Sequence, residues 1–329
     1  WLYRLQQSPR LRGDALDACV ELSFKAMLED WVLKLQGYHE PMPAILEQAL
    51  RMLVTAQTEP FDSPADEALI PIRQLLKKLS SFCVPPTLSL DFKGPADITL
   101  EQCWAQTRWD GLAVSLPAAT HAAINGLLSK VPGTPEAPIP LTSRTLSLWH
   151  TSPCNGGEHA LVMFCPLPEA DIAYEATWRL LAHLAKTPFH QQLRVEQQLG
   201  YAVFSGLHQV NGQTGLLFGV QSPHASAAEI FDHIEVFLDE LPNLISDLDE
   251  TSFTQVRAAL AQQFSSGTLN VPQASELLWQ AKLAGHTSDY LQTLYNALMT
   301  VDQGTTLKAA QRINELDCTW LCVATEDHS

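Results

Sequence analysis

An arginine and a tyrosine near the middle of the second half are the residues with the clearest chemical potential. The stretch "RVEQQLGY", residues 194–201, places Arg194 and Tyr201 seven positions apart. Arginine carries permanent N–H donors, and a tyrosine hydroxyl donates one hydrogen bond while staying neutral near pH 7. Together they could hold a peptide carbonyl or stabilise the oxyanion of an attacked amide. The residues alone equally allow a structural interpretation, in which Arg194 pairs with Glu196 or another surface carboxylate and Tyr201 packs as a strand residue.

The local sequence predicts a short helix that runs into a strand at this pair. Thr187 is a suitable N-cap and Pro188 a suitable first helical residue. Gly200 is expected to end the helix in a left-handed conformation. Because seven residues make nearly two helical turns, Arg194 and Tyr201 are expected on one side of the junction.

Other catalytic signatures are missing from the sequence. Zinc hydrolases with a His-x-x-Glu-His motif need two imidazoles and a carboxylate on one helical face, and no such spacing occurs. His183 and His190 are expected on different helices because Pro188 lies between them, and Glu196 adds no third ligand. The Gly-x-Ser-x-Gly and phosphate-binding glycine patterns are also absent. The sequence therefore predicts no metal site, no cofactor-binding site and no complete catalytic apparatus in this chain.

The first part of the chain is predicted to be mainly helical. A helix is expected over residues 13–38, with Gly37 near its end, because apolar residues recur at three- and four-residue steps. These apolar residues are Leu16, Val20, Phe24, Met27 and Leu28. Four further elements are predicted: a helix from Pro43, a helix over 66–82, a strand over 109–117 and a helix over 118–131.

The second part begins with strands and adds a series of helices. Strands are predicted over 144–151, 158–167, 201–207, 215–222 and 317–325, with helices over 171–186, 226–241, 250–265, 273–284, 288–299 and 302–313. This order favours an α+β fold of two similar domains, each with a mainly antiparallel or mixed sheet and helices packed on one side. The predicted domains are residues 1–133 and 144–329, joined by a proline-rich linker over 134–143.

Composition limits the partners and the compartment. The formal net charge of -16 disfavours nucleic acids and anionic membranes as partners. No apolar run reaches the roughly 18 residues of a membrane span. The chain begins with Trp1 rather than Met, so we expect a piece of a longer protein, and a targeting signal would lie outside it. The compartment therefore stays open, with the cytoplasm favoured over the periplasm. Cys318 and Cys322 are expected to be buried structural thiols.

A longer segment around the Arg/Tyr pair resembles a known family. Residues 187–222, "TPFHQQLRVEQQLGYAVFSGLHQVNGQTGLLFGVQS", are similar to a segment in the C-terminal half of the insulinase-type zinc peptidases, the pitrilysin or M16 family. A Pro-Phe, a Leu-Arg, a Glu-Gln-Leu-Gly-Tyr and a hairpin recur there in the same order. The resemblance extends over roughly 144–329 and is architectural over 1–133.

The family resemblance implies a division of labour. In this family four similar α+β domains form two halves that close around a peptide, and the N-terminal half binds zinc and runs the hydrolysis. The C-terminal half has no metal and contacts the substrate through an arginine and a tyrosine, which match Arg194 and Tyr201. The resemblance thus implies a non-catalytic half whose partners are the N-terminal half and a peptide. In its short length, this chain is most similar to those members of the family that process the peptide precursor of a quinone cofactor.

Three other interpretations stay open at this point. The chain could belong to a general peptide-degrading member of the family. It could be a non-catalytic scaffold of the same fold, although a scaffold has no need of both Arg194 and Tyr201. It could also be an unrelated α+β binding protein, which would make the match over 187–222 a coincidence.

Overall fold

The chain forms two compact units that are interleaved in sequence. A computed structural model describes residues 8–27, 30–55, 69–83, 104–105, 107–136, 148–154, 157–169, 171–265, 267–314 and 320–327. One unit comprises residues 1–66 and 91–137, and the other comprises 67–90 and 138–329. The segment 67–90 thus belongs by its contacts to the second unit.

The helices and strands are numbered here in chain order. The helices are α1 (Pro9–Asp17), α2 (Met42–Thr55), α3 (Pro71–Phe82), α4 (Ala118–Leu128), α5 (Ile172–His190), α6 (Ala227–Ser246), α7 (Glu250–Gln262), α8 (Val271–Leu283), α9 (Tyr290–Thr300) and α10 (Gln303–Asn314). The strands are β1 (Val20–Met27), β2 (Asp30–Gly37), β3 (Arg108–Trp109), β4 (Thr134–Pro135), β5 (Leu148–Thr151), β6 (His159–Pro166), β7 (Ala202–Val210), β8 (Gln213–Ser222) and β9 (Leu321–Ala324). A π-helical segment, Gln191–Glu196, follows α5 directly.

The long helix predicted over 13–38 is wrong. Helix α1 ends at Asp17, and the rest of the segment forms an antiparallel hairpin of β1 and β2. Val20 and Phe24 are buried, as the helical pattern also required, but Leu16 is 77% exposed. From Val20 onward the apolar residues also alternate with polar ones, and this second period suits a strand that finds a partner.

Gly37 ends β2 rather than a helix. Its φ is +144°, and a side-chain Cβ at this position would lie 2.2 Å from the carbonyl oxygen of Cys19, the residue just before the neighbouring strand. The glycine is therefore required by the close approach of two backbones. The hairpin, α1 and α2 share a core around Leu11, Phe24 and Leu53.

The strand predicted over 109–117 is also wrong in extent. Only Arg108–Trp109 pair with another strand, in parallel with Thr134–Pro135. Alternation makes a strand only where a partner supplies hydrogen bonds, and this pairing covers two residues. Residues 137–143 of the expected linker lie outside the described part of the chain, so the domain boundaries remain a prediction.

A five-stranded mixed sheet organises the second unit. The strand order is β5-β9-β6-β8-β7, with β5 parallel to β9 and the other pairs antiparallel. Residues of β6 and β8 alternate between the two faces, so Phe218 and Val220 pack against α5 and α6 while Leu217 faces the opposite side. The α+β fold class is confirmed.

Helix α3 covers that opposite face of the sheet. Its buried residues Ile72, Leu75 and Leu79 pack on Val162 and Leu217. In chain order this helix falls within the first predicted domain, yet its contacts are with the second unit. The helix starts at Pro71, five residues later than the predicted position 66, because Ile70 before the proline is extended. At the first helical position the missing N–H of proline costs nothing.

The helices α5 to α10 lie close to their predicted positions and build the layer behind the sheet. A second apolar cluster joins α5, α7 and α9 through residues such as Leu180, Phe253 and Leu294.

Cys322 in β9 is buried, and burial raises the pKa of its thiol to about 12, as expected for a structural thiol. Cys318 lies outside the described residues.

A buried carboxylate ties α5 to α9. Glu175 is 2% exposed; Arg179 donates to its Oε1 from Nε over 2.8 Å, and the Tyr290 hydroxyl donates to the same oxygen. His286 Nε2 lies 3.2 Å from Oε2. Burial alone would raise the pKa of Glu175, but the hydrogen bonds from His286, Tyr290 and Arg179 and the charge of Arg179 lower it to about 2.

The substitution Glu175→Gln should destabilise this helical layer by roughly 3–5 kcal/mol, because it leaves the Arg179 charge buried without a counter-ion. Hydrogen exchange of α5 and α9 in the intact protein measures the loss, with Glu169→Gln, an exposed carboxylate in the turn before α5, as the control. Since the folded pKa lies below the ordinary value, the stabilisation is present above about pH 4.5 and is lost as the pH falls toward 2. Equal exchange in both variants would contradict the assignment.

Candidate functional site

Helix α5 does not stop before the Arg/Tyr pair. It begins at Ile172, where the Asp171 carboxylate caps two backbone N–H groups, and runs through Pro188 into the π-helical segment Gln191–Glu196. The predicted helix start at Thr187 and Pro188 is therefore wrong. Phe189 and Leu193 are fully buried, and their packing outweighs the hydrogen bond that proline cannot make.

The continuous helix changes the position of two histidines. His183 and His190 lie on the same helix rather than on two helices, and both are exposed. In the part of the chain that the structure describes, no three His, Cys, Asp or Glu side chains are grouped so that they could hold a metal ion. Residues of the described ranges therefore do not fit a zinc site.

The turn after the π-helical segment uses a glutamine in the left-handed conformation. Gln198 has φ +52°, and the N–H of Leu199 donates to the carbonyl of Leu193 over 3.0 Å. Gly200 does not adopt the left-handed conformation predicted for it. A Cβ on Gly200 would lie 1.9 Å from the carbonyl oxygen of Gln221 in β8, so glycine is needed because the two backbones pass so closely.

Arg194 is held against the start of β7. It is exposed on the π-helical segment, and its Nη1 donates to the backbone carbonyl of Tyr201. Glu196, a candidate ion-pair partner for Arg194, accepts instead from Gln191 over 3.4 Å. One N–H of the guanidinium is thus used to fix the junction, and the same side chain has further N–H groups at an exposed position.

Tyr201 precedes β7, which forms one edge of the sheet, and its hydroxyl is engaged by two other side chains. Tyr201 as a whole is 48% exposed. The hydroxyl donates to Oε2 of Glu158 over 2.9 Å and accepts from Nε2 of Gln221 over 2.6 Å. The hydrogen bond to Glu158, some burial and the negative charge of Glu158 raise the pKa of Tyr201, so the hydroxyl keeps its proton.

Gln221 connects this group to the other face of the sheet. Its side chain is fully buried; Nε2 also donates to Glu158, and Oε1 accepts from the backbone N–H of Ile72 over 2.9 Å. Because an N–H can only donate, the Ile72 contact decides which end of the amide is oxygen. The amide therefore presents its NH2 group to Glu158 and Tyr201.

The structure thus brings Arg194 and Tyr201 together and adds two residues that the sequence did not indicate. Glu158 precedes β6 and Gln221 lies in β8, where it pairs with Ala160 across the sheet. The only local signal is a polar residue at the end of the apolar run "GLLFGV", on the same strand face as Leu217. The arrangement can offer the remaining N–H donors of Arg194 to an oxygen atom such as a peptide carbonyl, and the Tyr201 hydroxyl to a group that displaces Glu158.

Among the helices that the structure describes, none is both long and apolar enough to span a bilayer.

Two family models match the chain, and both describe C-terminal lobe domains of PqqF-type proteins. The model for "PQQ synthase PqqF, C-terminal lobe domain 3" matches residues 1–113, and that for "PQQ synthase PqqF-like, C-terminal lobe domain 4" matches residues 180–279. Coenzyme PQQ synthesis protein F of Pseudomonas protegens is 46% identical over 317 residues, covering 94% of this chain and 38% of that protein. The protein of the same name from Pseudomonas syringae pv. tomato is 40% identical over 322 residues, covering 96% and 40%. The chain thus spans about two fifths of the length of these relatives.

Solved structures share the fold. Pitrilysin aligns with 98% of this chain and 38% of its own at a TM-score of 0.67 and 16% identity. A peptidase M16 inactive domain from Pseudomonas fluorescens aligns with 95% of this chain and 82% of its own at 0.63 and 15%.

The chain therefore belongs to the M16 peptidases, with the α+β fold of that family. Within the family it is a C-terminal half, and it resembles coenzyme PQQ synthesis protein F.

The substitution Gly200→Ala should disrupt the junction, because the added methyl group would overlap the Gln221 carbonyl oxygen. We expect a destabilisation of about 1–3 kcal/mol and faster hydrogen exchange in residues 197–204 and 219–223. Gly267→Ala is the matched control, since nothing lies within 4 Å of a Cβ there. If the two variants exchange alike, close backbone approach is not the reason for Gly200.

Proposed function

We propose that this chain is the non-catalytic half of a zinc-dependent endopeptidase and that it binds and orients the peptide to be cut. Arg194 and Tyr201 are the proposed substrate contacts: they lie beside the carbonyl at the scissile bond, orient the peptide and stabilise the oxyanion that forms there. The zinc site belongs, in this proposal, to the N-terminal half of the same protein.

One observation carries the assignment of the contacts. Arg194 and Tyr201 lie seven residues apart, yet one hydrogen bond joins the Arg194 guanidinium to the Tyr201 backbone at an exposed position. The Arg194 guanidinium therefore lies against the Tyr201 backbone, on a helix end and a strand start that Leu193 and Leu199 anchor in the core. A site built on rigid elements keeps its side chains in position before a ligand arrives.

The proposed substrate follows from the relatives. Their name assigns them to the synthesis of coenzyme PQQ. We propose that the intact protein processes the peptide precursor of pyrroloquinoline quinone and that its substrate lies between the two halves. The acidic character of this chain, with a formal charge of -16, favours neutral or basic peptide segments over acidic ones.

In the intact protein, Arg194→Ala should lower kcat/KM for peptide cleavage by about 100-fold or more, as expected for the loss of an oxyanion donor. Cleavage of a quenched fluorogenic peptide measures the rate, and Arg312→Ala, an exposed arginine on α10, is the control. Hydrogen exchange of residues 191–204 reports whether the junction stays folded. Wild-type turnover by a folded Arg194→Ala variant would refute the assigned role and favour a scaffold.

Tyr201→Phe should lower kcat by roughly 10- to 100-fold, because it removes only the hydroxyl and keeps the ring. The same peptide assay applies, with Tyr174→Phe on α5 as the control for loss of a hydroxyl elsewhere in the unit. An unchanged kcat would show that the hydroxyl takes no part in the reaction.

A further inference from the structure

The Tyr201 hydroxyl has a single hydrogen, and the structure shows where it goes. Gln221 Nε2 lies 2.6 Å from the hydroxyl oxygen, and an amide NH2 group can only donate. The hydroxyl hydrogen is therefore directed to the carboxylate of Glu158, 2.9 Å away. The donor that the proposed function assigns to the substrate is already occupied in the substrate-free protein.

This arrangement is enforced by the surrounding fold. The Gln221 Oε1 accepts a hydrogen bond from the backbone N–H of Ile72 over 2.9 Å. If the amide were reversed, its NH2 group would face that N–H, and two donors would point at each other. The Gln221 side chain is fully buried in β8, where an unsatisfied amide is costly. Gln221 thus donates to the Tyr201 oxygen, and the one hydroxyl hydrogen is left for Glu158 or for a group that replaces Glu158.

The strength of the competing acceptor decides what can replace it. A carboxylate accepts a charge-assisted hydrogen bond, which is about twice as strong as a bond to a neutral carbonyl. A neutral peptide carbonyl is therefore a poor competitor for the hydroxyl, whereas the oxyanion of a tetrahedral intermediate carries a comparable charge. Tyr201 is 48% exposed, so a peptide can reach it.

We propose that Glu158 reserves the Tyr201 hydroxyl for the oxyanion and withholds it from the ground-state carbonyl. Glu158 is then a positioning residue that acts through Tyr201. An interaction made only in the transition state raises kcat, whereas one made equally in the ground state only tightens binding. This inference rests on the proposed role of Tyr201 in peptide cleavage.

The test replaces the carboxylate by a neutral acceptor of the same shape, Glu158→Gln, in the intact protein. The probe is a quenched fluorogenic peptide that the wild-type enzyme cleaves and that has uncharged residues around the scissile bond. Its Kd is measured with metal-free protein and its kcat with the active enzyme. We expect Kd to fall roughly fivefold, because the hydroxyl becomes available to the neutral carbonyl. We expect kcat to stay at or below its wild-type value, because the ground state then gains the same hydrogen bond as the transition state.

A double-mutant cycle then shows whether Glu158 acts through the hydroxyl. In the Tyr201→Phe background, Glu158→Gln should change neither Kd nor kcat. Glu169→Gln is the control for loss of an exposed charge, and Glu158→Ala runs through the same cycle if Glu158→Gln does not fold. A Kd that stays constant or rises, or a Kd effect that persists with Tyr201→Phe, overturns the inference.

The outcomes separate this inference from the proposed function. If Tyr201→Phe alone leaves kcat unchanged, the role of Tyr201 in cleavage is wrong. If Tyr201→Phe lowers kcat while Glu158→Gln leaves Kd unchanged, the role of Tyr201 stands and only that of Glu158 is wrong.

Discussion

One buried amide fixes the geometry of the candidate site. Gln221 uses its oxygen to accept from the first turn of α3 and its nitrogen to donate to Glu158 and Tyr201. Leaving such a group unsatisfied in the interior costs about 1–3 kcal/mol. The helix on one face of the sheet, the strand β8 and the tyrosine at the sheet edge are therefore coupled through one side chain.

The backbone around this amide is packed as tightly as its side chain. Gly200 passes the Gln221 carbonyl at a distance that excludes any Cβ, and the Arg194 guanidinium holds the carbonyl of the next residue, Tyr201. The end of the helical segment and the start of β7 thus form one rigid junction. Catalysis benefits from donors that are held close to the place where charge develops, and this junction fixes the backbone that carries Arg194 and Tyr201.

The regular elements of the second unit could be predicted because their apolar periods were unambiguous. The hairpin of β1 and β2 could not, since its apolar residues fit both a helical and an alternating period, and only pairing with a partner strand decides between them. Pro188 was expected to begin a helix, but tertiary packing of Phe189 and Leu193 carries α5 through it. Local propensity is a weak guide where burial opposes it.

The site was only half visible in the sequence. Arg194 and Tyr201 stand close together in a recognisable motif, whereas Glu158 and Gln221 are 63 residues apart and meet only through strand register. The most direct test of the account is a structure of the intact protein with an uncleaved peptide bound. We expect the Arg194 guanidinium within about 3.2 Å of the scissile carbonyl oxygen, with the Tyr201 hydroxyl beside that oxygen and still donating to Glu158. A peptide whose scissile bond lies against other residues, out of reach of both side chains, would contradict it.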